Sequence, residues 1–272
     1  LTALTFLFFQ FGFSQTTTWT GASWDNGVPT ISLDAIIASG TCPITVDTEV
    51  KSIIVQDGAV LSVDESITLT IQDNIQVLGS GQFIVNNNAS ILQNNASAVN
   101  VGNITYSRDA MPMRQFEFTY WGSPVAGQVL NVFSPLTLSD KFYSYNANVG
   151  VNNWVIENQN NVMTPGKGYA IRAPQGYTST PQVFSGQFVG TPNNGNVSAN
   201  VVAFNPMLLN YNLLANPYPS AINVVTLIDN SNLGTLYFWT HNSAIASNVF
   251  TSDDYAIRTR TTGTAAVTGG TA

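Results

Sequence analysis

Few residues in this chain could perform acid–base or nucleophilic chemistry. His241 is the only histidine and Cys42 the only cysteine. A Ser-His-Asp or Cys-His arrangement would therefore depend on one residue, and no nucleophile-elbow sequence accompanies it. The same count excludes a zinc site built from histidines and cysteines. We interpret His241 as a structural, hydrogen-bonded residue and Cys42 as a small buried hydrophobic residue.

Carboxylates are the remaining candidates for catalysis, because glycoside hydrolysis needs only two of them, about 5–9.5 Å apart. The acidic residues that could form such a pair are Asp57, Asp64, Glu65, Asp73, Glu117, Glu157, Asp253 and Asp254. Residues 45–93 contain Lys51 but no arginine that could act as a base or bind a substrate carboxylate. We interpret the acidic residues as solvated turn residues and predict that the protein is not an enzyme.

A structural calcium ion is the one cofactor that the sequence suggests. Asp253 with Asp254, or Asp25 with Asn26, could supply the oxygen ligands that calcium prefers. No complete ligand loop such as an EF-hand is present. The predicted metal residues are Asp253 and Asp254.

Aromatic residues offer a different kind of site, a platform on which a sugar ring could stack. The candidates are Tyr120, Trp121, Tyr143, Tyr145, Trp154, Tyr237 and Trp239. Successive residues of a strand face opposite sides, so about half of these belong to the core. We predict Tyr120, Trp121, Trp154 and Trp239 as ligand-binding residues.

Charge excludes some classes of partner. Only 8% of the residues are charged, the net charge is −7, and 30 asparagines stand against 8 lysines and arginines. Because the few basic residues are scattered, no basic patch could bind nucleic acid or an anionic membrane. The expected partner is an extracellular glycan or a surface protein.

The first 15 residues, LTALTFLFFQFGFSQ, are uncharged and rich in leucine and phenylalanine. Their length is too short for a membrane span, which needs about 20 apolar residues. A small, polar end is typical of a secretory signal, and we expect cleavage near Ser14 or Gln15. A buried strand is the alternative. The sequence thus predicts a secreted or outer-surface protein that does not insert into a membrane after cleavage.

Residues 16–107 show a repeat typical of a β-solenoid. Apolar clusters centre on Val46, Ile54, Ser62, Thr70, Gln76, Ile84 and Leu92. Every third cluster is separated by 22 to 24 residues, the spacing of a three-sided parallel solenoid. An antiparallel meander, whose strands recur every 8 to 12 residues, is the alternative. Trp19 and Trp24 are expected to cover the open first coil, or alternatively to form a ligand platform.

Residues 108–272 contain aromatic, β-rich segments bounded by turn residues, which predicts an antiparallel β-sandwich. The segment YWGSPVAGQVLNVF (120–133) aligns with LLANPYPSAINVVTLI (213–228), which indicates an internal duplication. One alignment places the counterpart of YAIR (169–172) beyond residue 272, in which case the sequence stops inside the domain. A competing alignment uses the second YAIR, at 255–258. The register stays open at this point.

Several segments together resemble a group of large secreted surface proteins of the Bacteroidota, many of them exported by the type IX secretion system. They are NPYPSAI, YWGSPV, PGKGYAIRAP and GTLYFWTHN. The resemblance implies a surface location and an adhesive or uncharacterised role, and no sorting domain of that group is recognised here. Locally, NPYPS (216–220) is expected to be a stiff turn, because each proline forces the preceding residue out of the α region.

Two hypotheses for function follow. The first is a non-enzymatic structural or adhesive part of a larger secreted polypeptide, with the solenoid as a spacer and the sandwich as a head. The second is a carbohydrate-binding module of a secreted polysaccharide-degrading protein. Exposed, coplanar aromatic rings beside polar groups would favour the second.

Overall fold

The computed structural model describes residues 15–203, 210–231, 233–246, 250 and 254–266. Strands hold 37% of the chain and helices 4%, which confirms the predicted all-β class. The predicted signal segment lies outside the described residues apart from Gln15. No helix in the described ranges has the length and apolar character needed to cross a membrane.

The first half is a three-sided solenoid of parallel strands. Its first face contains β1 (Thr16–Trp19), β2 (Asp34–Ile37), β5 (Ser52–Val55) and β8 (Ile75–Val77). Its second face contains β3 (Thr41–Ile44), β6 (Val60–Val63), β9 (Gln82–Val85) and β11 (Ile104–Asp109). Its third face contains β4 (Thr48–Val50), β7 (Thr68–Ile71) and β10 (Ser90–Gln93). The solenoid prediction is confirmed and the meander alternative is excluded.

The predicted coil register is confirmed in three of four places. Ile54 lies beside Gln76, Ser62 beside Ile84 and Thr70 beside Leu92, as the spacing of the clusters predicted. The first step was wrong, because Thr70 pairs with Glu49 and not with Val46. Val46 is exposed at a corner that precedes β4. The apolar Val46 side chain at this corner was therefore mistaken for a strand residue in the spacing pattern.

The solenoid interior is a stack of inward-facing side chains. Strand β6 alternates between half-buried and buried residues, as a strand with one buried face should. Cys42, Leu61 and Phe83 lie at matching positions of successive coils and are all buried. Burial raises the pKa of the Cys42 thiol to about 12, so the thiol stays protonated. The interpretation of Cys42 as a buried hydrophobic residue is confirmed.

Two tryptophans cover the first coil, as predicted. The rings of Trp19 and Trp24 meet edge to face with centroids 5.6 Å apart, and both pack against the core. Asp25 accepts a hydrogen bond from the Thr18 backbone amide at 2.7 Å. Asn26 donates to the Thr16 carbonyl at 3.1 Å. The two residues considered as calcium ligands therefore hold the cap onto β1.

The NPYPS segment covers the far end of the solenoid. Within the turn, Asn216 accepts a hydrogen bond from the Tyr218 amide at 3.1 Å and donates to the Ser220 carbonyl at 2.6 Å. The Pro219 carbonyl then accepts from the Ile91 amide of β10 at 2.6 Å. The segment thus satisfies backbone groups at the solenoid's open end, so the motif has the structural role predicted for it.

The antiparallel half grows directly from the solenoid. Strand β11 pairs in parallel with β9 and antiparallel with β17 (Ser185–Pro192), which in turn pairs with β13 (Val125–Ala126). The six strands form one sheet in the order β13-β17-β11-β9-β6-β3. Since β11 spans Ile104–Asp109, the predicted boundary at residue 107 falls inside a strand that both halves share.

Two further sheets carry the aromatic segments. The fourth sheet has the order β12-β16-β14-β15, and its strands are β12 (Phe118–Trp121), β14 (Phe142–Tyr145), β15 (Trp154–Ile156) and β16 (Tyr169–Arg172). The fifth sheet has the order β18-β19-β20, and its strands are β18 (Leu236–Trp239), β19 (Tyr255–Arg258) and β20 (Gly263–Thr264). Short helices α1 (Leu130–Phe133) and α2 (Val224–Asp229) precede β14 and β18 respectively.

The strand register decides between the two alignments of the duplication. In the fourth sheet Phe142 pairs with Ile171, and in the fifth sheet Tyr237 pairs with Ile257. These are matching positions of the two YAIR segments, 169–172 and 255–258. The competing alignment is therefore correct, and the alignment that placed the second counterpart beyond residue 272 was wrong.

The second copy packs on the first through its Trp239 and Tyr255 side. In the first copy, the face that carries Tyr169 is buried towards the solenoid side. In the second copy, the matching residue Tyr255 points at the back of the first copy, where its ring lies 6.4 Å from that of Tyr120. The fifth sheet thus covers the side of the fourth sheet that faces away from the core. The side it uses corresponds to the core-facing side of the fourth sheet.

Candidate functional site

Alternation along β12 separates two neighbouring aromatic residues. The Trp121 ring packs on Phe133 of α1, 4.9 Å away, and near Phe188 of β17, 6.1 Å away. Tyr120 faces the opposite side, towards the second copy. Trp121, one of the four predicted ligand-binding residues, is therefore half-buried against the aromatic core and is not among the residues that line the pocket described next.

The other three predicted binding residues meet in one pocket between the stacked copies. The aromatic pocket has a volume of about 470 Å³ and is lined by Phe118, Tyr120, Tyr143, Trp154, Ala170, Trp239, Phe250 and Tyr255. Trp154 and Phe250 are each 45% exposed and form its mouth. A concave, mostly apolar site with a few polar atoms is the usual form of a small-ligand pocket.

The pocket rings are held by their contacts with one another. Tyr120 stacks on Trp154 with centroids 6.0 Å apart and planes inclined by 30°. Across the pocket, the Tyr120 hydroxyl lies 2.6 Å from the Tyr255 hydroxyl, within hydrogen-bond distance. Burial raises the pKa of Tyr120 above its usual value, so its hydroxyl stays protonated and can donate. The Trp239 indole N–H is buried and has no hydrogen-bond partner among the described residues.

Half of the lining residues were not predicted from the sequence. Phe118, Ala170, Phe250 and Tyr255 were not singled out, whereas Tyr143 was considered as an aromatic candidate. Tyr145 and Tyr237 lie nearby but do not line the pocket; Tyr145 supports Trp154 through an edge contact at 5.2 Å. Strand alternation would have placed Phe118 with Tyr120, two residues away on β12.

A buried ionic cluster ties together the strands that carry the pocket. Glu117 is 1% exposed, and one of its carboxylate oxygens accepts from the Arg114 backbone amide at 2.7 Å. Its other oxygen accepts from the Arg114 guanidinium at 3.2 Å. The interpretation of Glu117 as a solvated turn residue was therefore wrong. Phe116, immediately before it, has a positive φ of 70°, a strained conformation for a bulky residue.

His241 belongs to the same cluster. Its Nδ1 atom lies 3.3 Å from a Glu117 oxygen. Neither ring nitrogen is aligned to form a hydrogen bond with any of the described residues. The residue is buried, but the hydrogen bond predicted for it is not formed. Burial lowers the pKa of His241, and the nearby Glu117 carboxylate opposes that shift only in part.

Asp254 completes the cluster and was also wrongly interpreted as solvated. It is 1% exposed, and one carboxylate oxygen accepts from the Ser243 amide at 2.7 Å. Asp253, the other predicted calcium ligand, lies outside the described residues. In the part of the chain that the structure describes, no three histidine, cysteine or acidic residues are grouped to hold a metal ion. The geometry gives the calcium prediction no support.

Acidification is expected to destabilise the protein through His241. The folded state holds this imidazole neutral because burial lowers its pKa, whereas in the unfolded chain it titrates near its usual value of about 6.5. The unfolded state therefore binds more protons below about pH 6.5, and the free energy of unfolding decreases there. Urea unfolding of the wild type at pH 7.5 and 5.5 measures the decrease.

The variant His241→Asn removes this titration and serves as the control. Its free energy of unfolding should change less between the two pH values than that of the wild type, whatever its stability at pH 7.5. Equal pH dependence in both proteins would show that the imidazole is not held neutral.

The solenoid carboxylates have a structural role at the corners. Asp57 accepts hydrogen bonds from the Ser80 amide and hydroxyl, both at 2.7 Å, and the bond from that amide holds the pKa of Asp57 below its usual value. Asp73 accepts from Asn95 at 2.7 Å. Each bond joins residues 22 or 23 positions apart, which links one coil to the next. Asp57 and Asp73 therefore connect neighbouring coils.

A second depression, of about 370 Å³, lies on the solenoid beside Asp34, Lys51 and Asp73. Its polar groups bind one another: Asp34 accepts from Ser52 at 2.6 Å and lies 3.3 Å from the Lys51 ammonium group. We regard it as the outer surface of neighbouring coils. The aromatic pocket is the better candidate site.

Comparison with known families gives one match. The model of a domain of unknown function, DUF8693, matches residues 11–272. The chain belongs to the DUF8693 family. The match covers the solenoid and the fourth and fifth sheets, and so includes the residues that line the aromatic pocket. No curated protein and no solved structure matches the chain.

Proposed function

We propose that this protein is a non-enzymatic, secreted or outer-surface protein whose aromatic pocket binds carbohydrate. The solenoid serves as a rigid spacer and the stacked antiparallel sheets as an adhesive head. The observation that carries the proposal is the pocket itself, in which three predicted binding residues from three different strands meet around an open space of about 470 Å³.

Carbohydrate fits the chemistry of this lining. One face of a pyranose ring presents C–H groups that pack on aromatic rings, while its hydroxyls need hydrogen-bond partners. The pocket provides the stacked rings of Tyr120 and Trp154 together with the paired hydroxyls of Tyr120 and Tyr255.

The secreted location rests on the apolar first 15 residues and on the resemblance to Bacteroidota surface proteins. Export through the type IX system is part of the same proposal. The scarcity of charge and the coil-to-coil hydrogen bonds fit a stiff extracellular element that holds together without disulfides.

Replacing Trp154 with alanine is expected to weaken carbohydrate binding at least tenfold, because its exposed ring forms the mouth of the pocket. The full chain would be applied to a glycan array, and the affinity for each bound glycan measured by calorimetry for the wild type and for Trp154→Ala.

Val155→Ala is the matched control. Val155 is similarly exposed on the same strand but does not line the pocket, so its replacement should leave affinity unchanged. If the wild type bound no glycan on the array, carbohydrate binding would be refuted. The second candidate function, a purely structural role, would remain, and the capped solenoid favours it. If Trp154→Ala and Val155→Ala had equal glycan affinities, the binding site would lie outside the aromatic pocket.

A further inference from the structure

The shape of the aromatic pocket is set by one small residue between two large ones. In the register of the fourth sheet, Ala170 lies directly between Tyr120 on β12 and Tyr143 on β14. Ala170 is 4% exposed and forms the floor of the pocket. Because its methyl group is much shorter than the flanking rings, a slot remains open above it.

The second copy closes the slot from the opposite side. Trp239 and Tyr255 face the first copy, and their rings lie 6.4 Å from that of Tyr120. The pocket is therefore enclosed by aromatic rings from both copies, with Ala170 as its floor and Trp154 and Phe250 at its exposed mouth. This geometry differs from a flat platform, on which a ligand contacts one side only.

The charge of the slot and its surroundings disfavours an anionic ligand. None of the lining residues that the structure describes carries a charge. The buried carboxylates of Glu117 and Asp254 immediately precede the lining residues Phe118 and Tyr255, and the whole chain has a net charge of −7. An anionic ligand would lose its hydration without gaining a cationic partner.

We infer that the slot binds the neutral terminal pyranose of a glycan chain, inserted through the mouth among the aromatic rings, and that Ala170 sets the depth that admits it. The inference rests on the proposed carbohydrate binding and adds the ligand's charge, the part of the chain recognised and the residue that determines specificity. A trimethylammonium group, which aromatic cages also bind, is much smaller than this slot.

The test compares ligands that differ in one property each. The full chain is titrated by calorimetry with neutral methyl hexopyranosides and short oligosaccharides, with the corresponding uronates, and with phenyltrimethylammonium. Binding to insoluble polysaccharide is measured by sedimentation. We expect the neutral saccharides to bind at least tenfold more tightly than their uronates, and soluble chain ends to compete with the polysaccharide.

Substitutions at the floor test the role of Ala170. Ala170→Val, which suits a strand, should weaken binding of the neutral saccharide at least tenfold, and Ala170→Leu should abolish it. Melting temperatures measured in parallel identify a variant that has lost its fold. In that event Tyr255→Phe, which removes only one hydroxyl, is expected to weaken binding severalfold.

The outcomes separate this inference from the proposed function. Three results would overturn the inference while carbohydrate binding stands. The first is equal affinity for neutral saccharides and uronates, and the second is binding to insoluble polysaccharide that neither Ala170→Val nor soluble saccharides reduce. The third is an unchanged saccharide affinity in Tyr255→Phe. Tighter binding of phenyltrimethylammonium than of any saccharide would overturn it as well. The absence of binding to every saccharide would refute the proposed function itself.

Discussion

Replacing Trp121 with alanine is expected to lower the free energy of unfolding by about 3 kcal/mol or more. The Trp121 ring packs against Phe133, Phe184 and Phe188, so its removal leaves a cavity between the fourth sheet and β17 that these rings cannot fill. Urea unfolding of the full chain, followed by far-ultraviolet circular dichroism, measures the loss without relying on tryptophan fluorescence.

Trp154→Ala provides the comparison for this result. Its ring is about half exposed at the pocket mouth, so the free energy of unfolding should fall by less, about 1 kcal/mol. Two tryptophans predicted to share one function should thus separate, one affecting stability and the other binding. Similar stability losses in both variants would contradict the assignment of Trp121 to the core and Trp154 to the surface.

Replacing Glu117 with alanine is expected to cost about 3 kcal/mol of unfolding free energy, as is usual when one partner of a buried ion pair is removed. The substitution leaves the Arg114 backbone amide without its acceptor and the partly buried guanidinium without its carboxylate. The neutral isostere Glu117→Gln can still accept from the amide, so its loss should be smaller. Urea unfolding at pH 7.5 measures both variants.

The control for Glu117 is an ion pair in solvent. Asp140 lies 2.7 Å from the Lys141 ammonium group and is mostly exposed, so Asp140→Ala should leave the free energy of unfolding unchanged within error. If Glu117→Ala were as harmless as Asp140→Ala, the cluster would not hold β12 to the second copy.

The solenoid could be predicted in detail because its signal is local. Each coil repeats the same short apolar clusters, and counting between them placed Ile54, Ser62 and Thr70 beside their correct neighbours. The error at Val46 shows the limit of counting. An apolar side chain can also occupy an exposed corner, and composition alone does not distinguish a corner from a strand.

The pocket could be predicted only in part, because its residues come from distant segments. Alternation required Tyr120 and Trp121 to face opposite ways, but the one polar residue of β12, Thr119, shares the face of Trp121 and so does not mark the outer face. Only the packing of Phe133 and Phe188 against Trp121 decides which face is buried. Ala170 gave no signal, since the space above it is closed by the second copy, which lies later in the sequence.

The ionic cluster was missed for a similar reason. Glu117 and His241 are separated by more than a hundred positions in sequence, and neither belongs to a recognisable motif. One signal was available: Glu117 is the only charged residue in the aromatic segment QFEFTYW. A single carboxylate among rings is costly to bury without a partner, which predicts that a partner exists but not which residue supplies it.

The coil-on-coil register gives the solenoid the character of a ruler. Adjacent coils are separated by one strand spacing, about 4.8 Å. Each coil contacts only its neighbours, and the two caps close the ends. Gaining or losing 22 residues between Val60 and Gln82 would therefore lengthen or shorten the solenoid by one coil. The distance from the Trp19–Trp24 cap to the aromatic pocket could therefore change in fixed increments while the pocket itself stays the same.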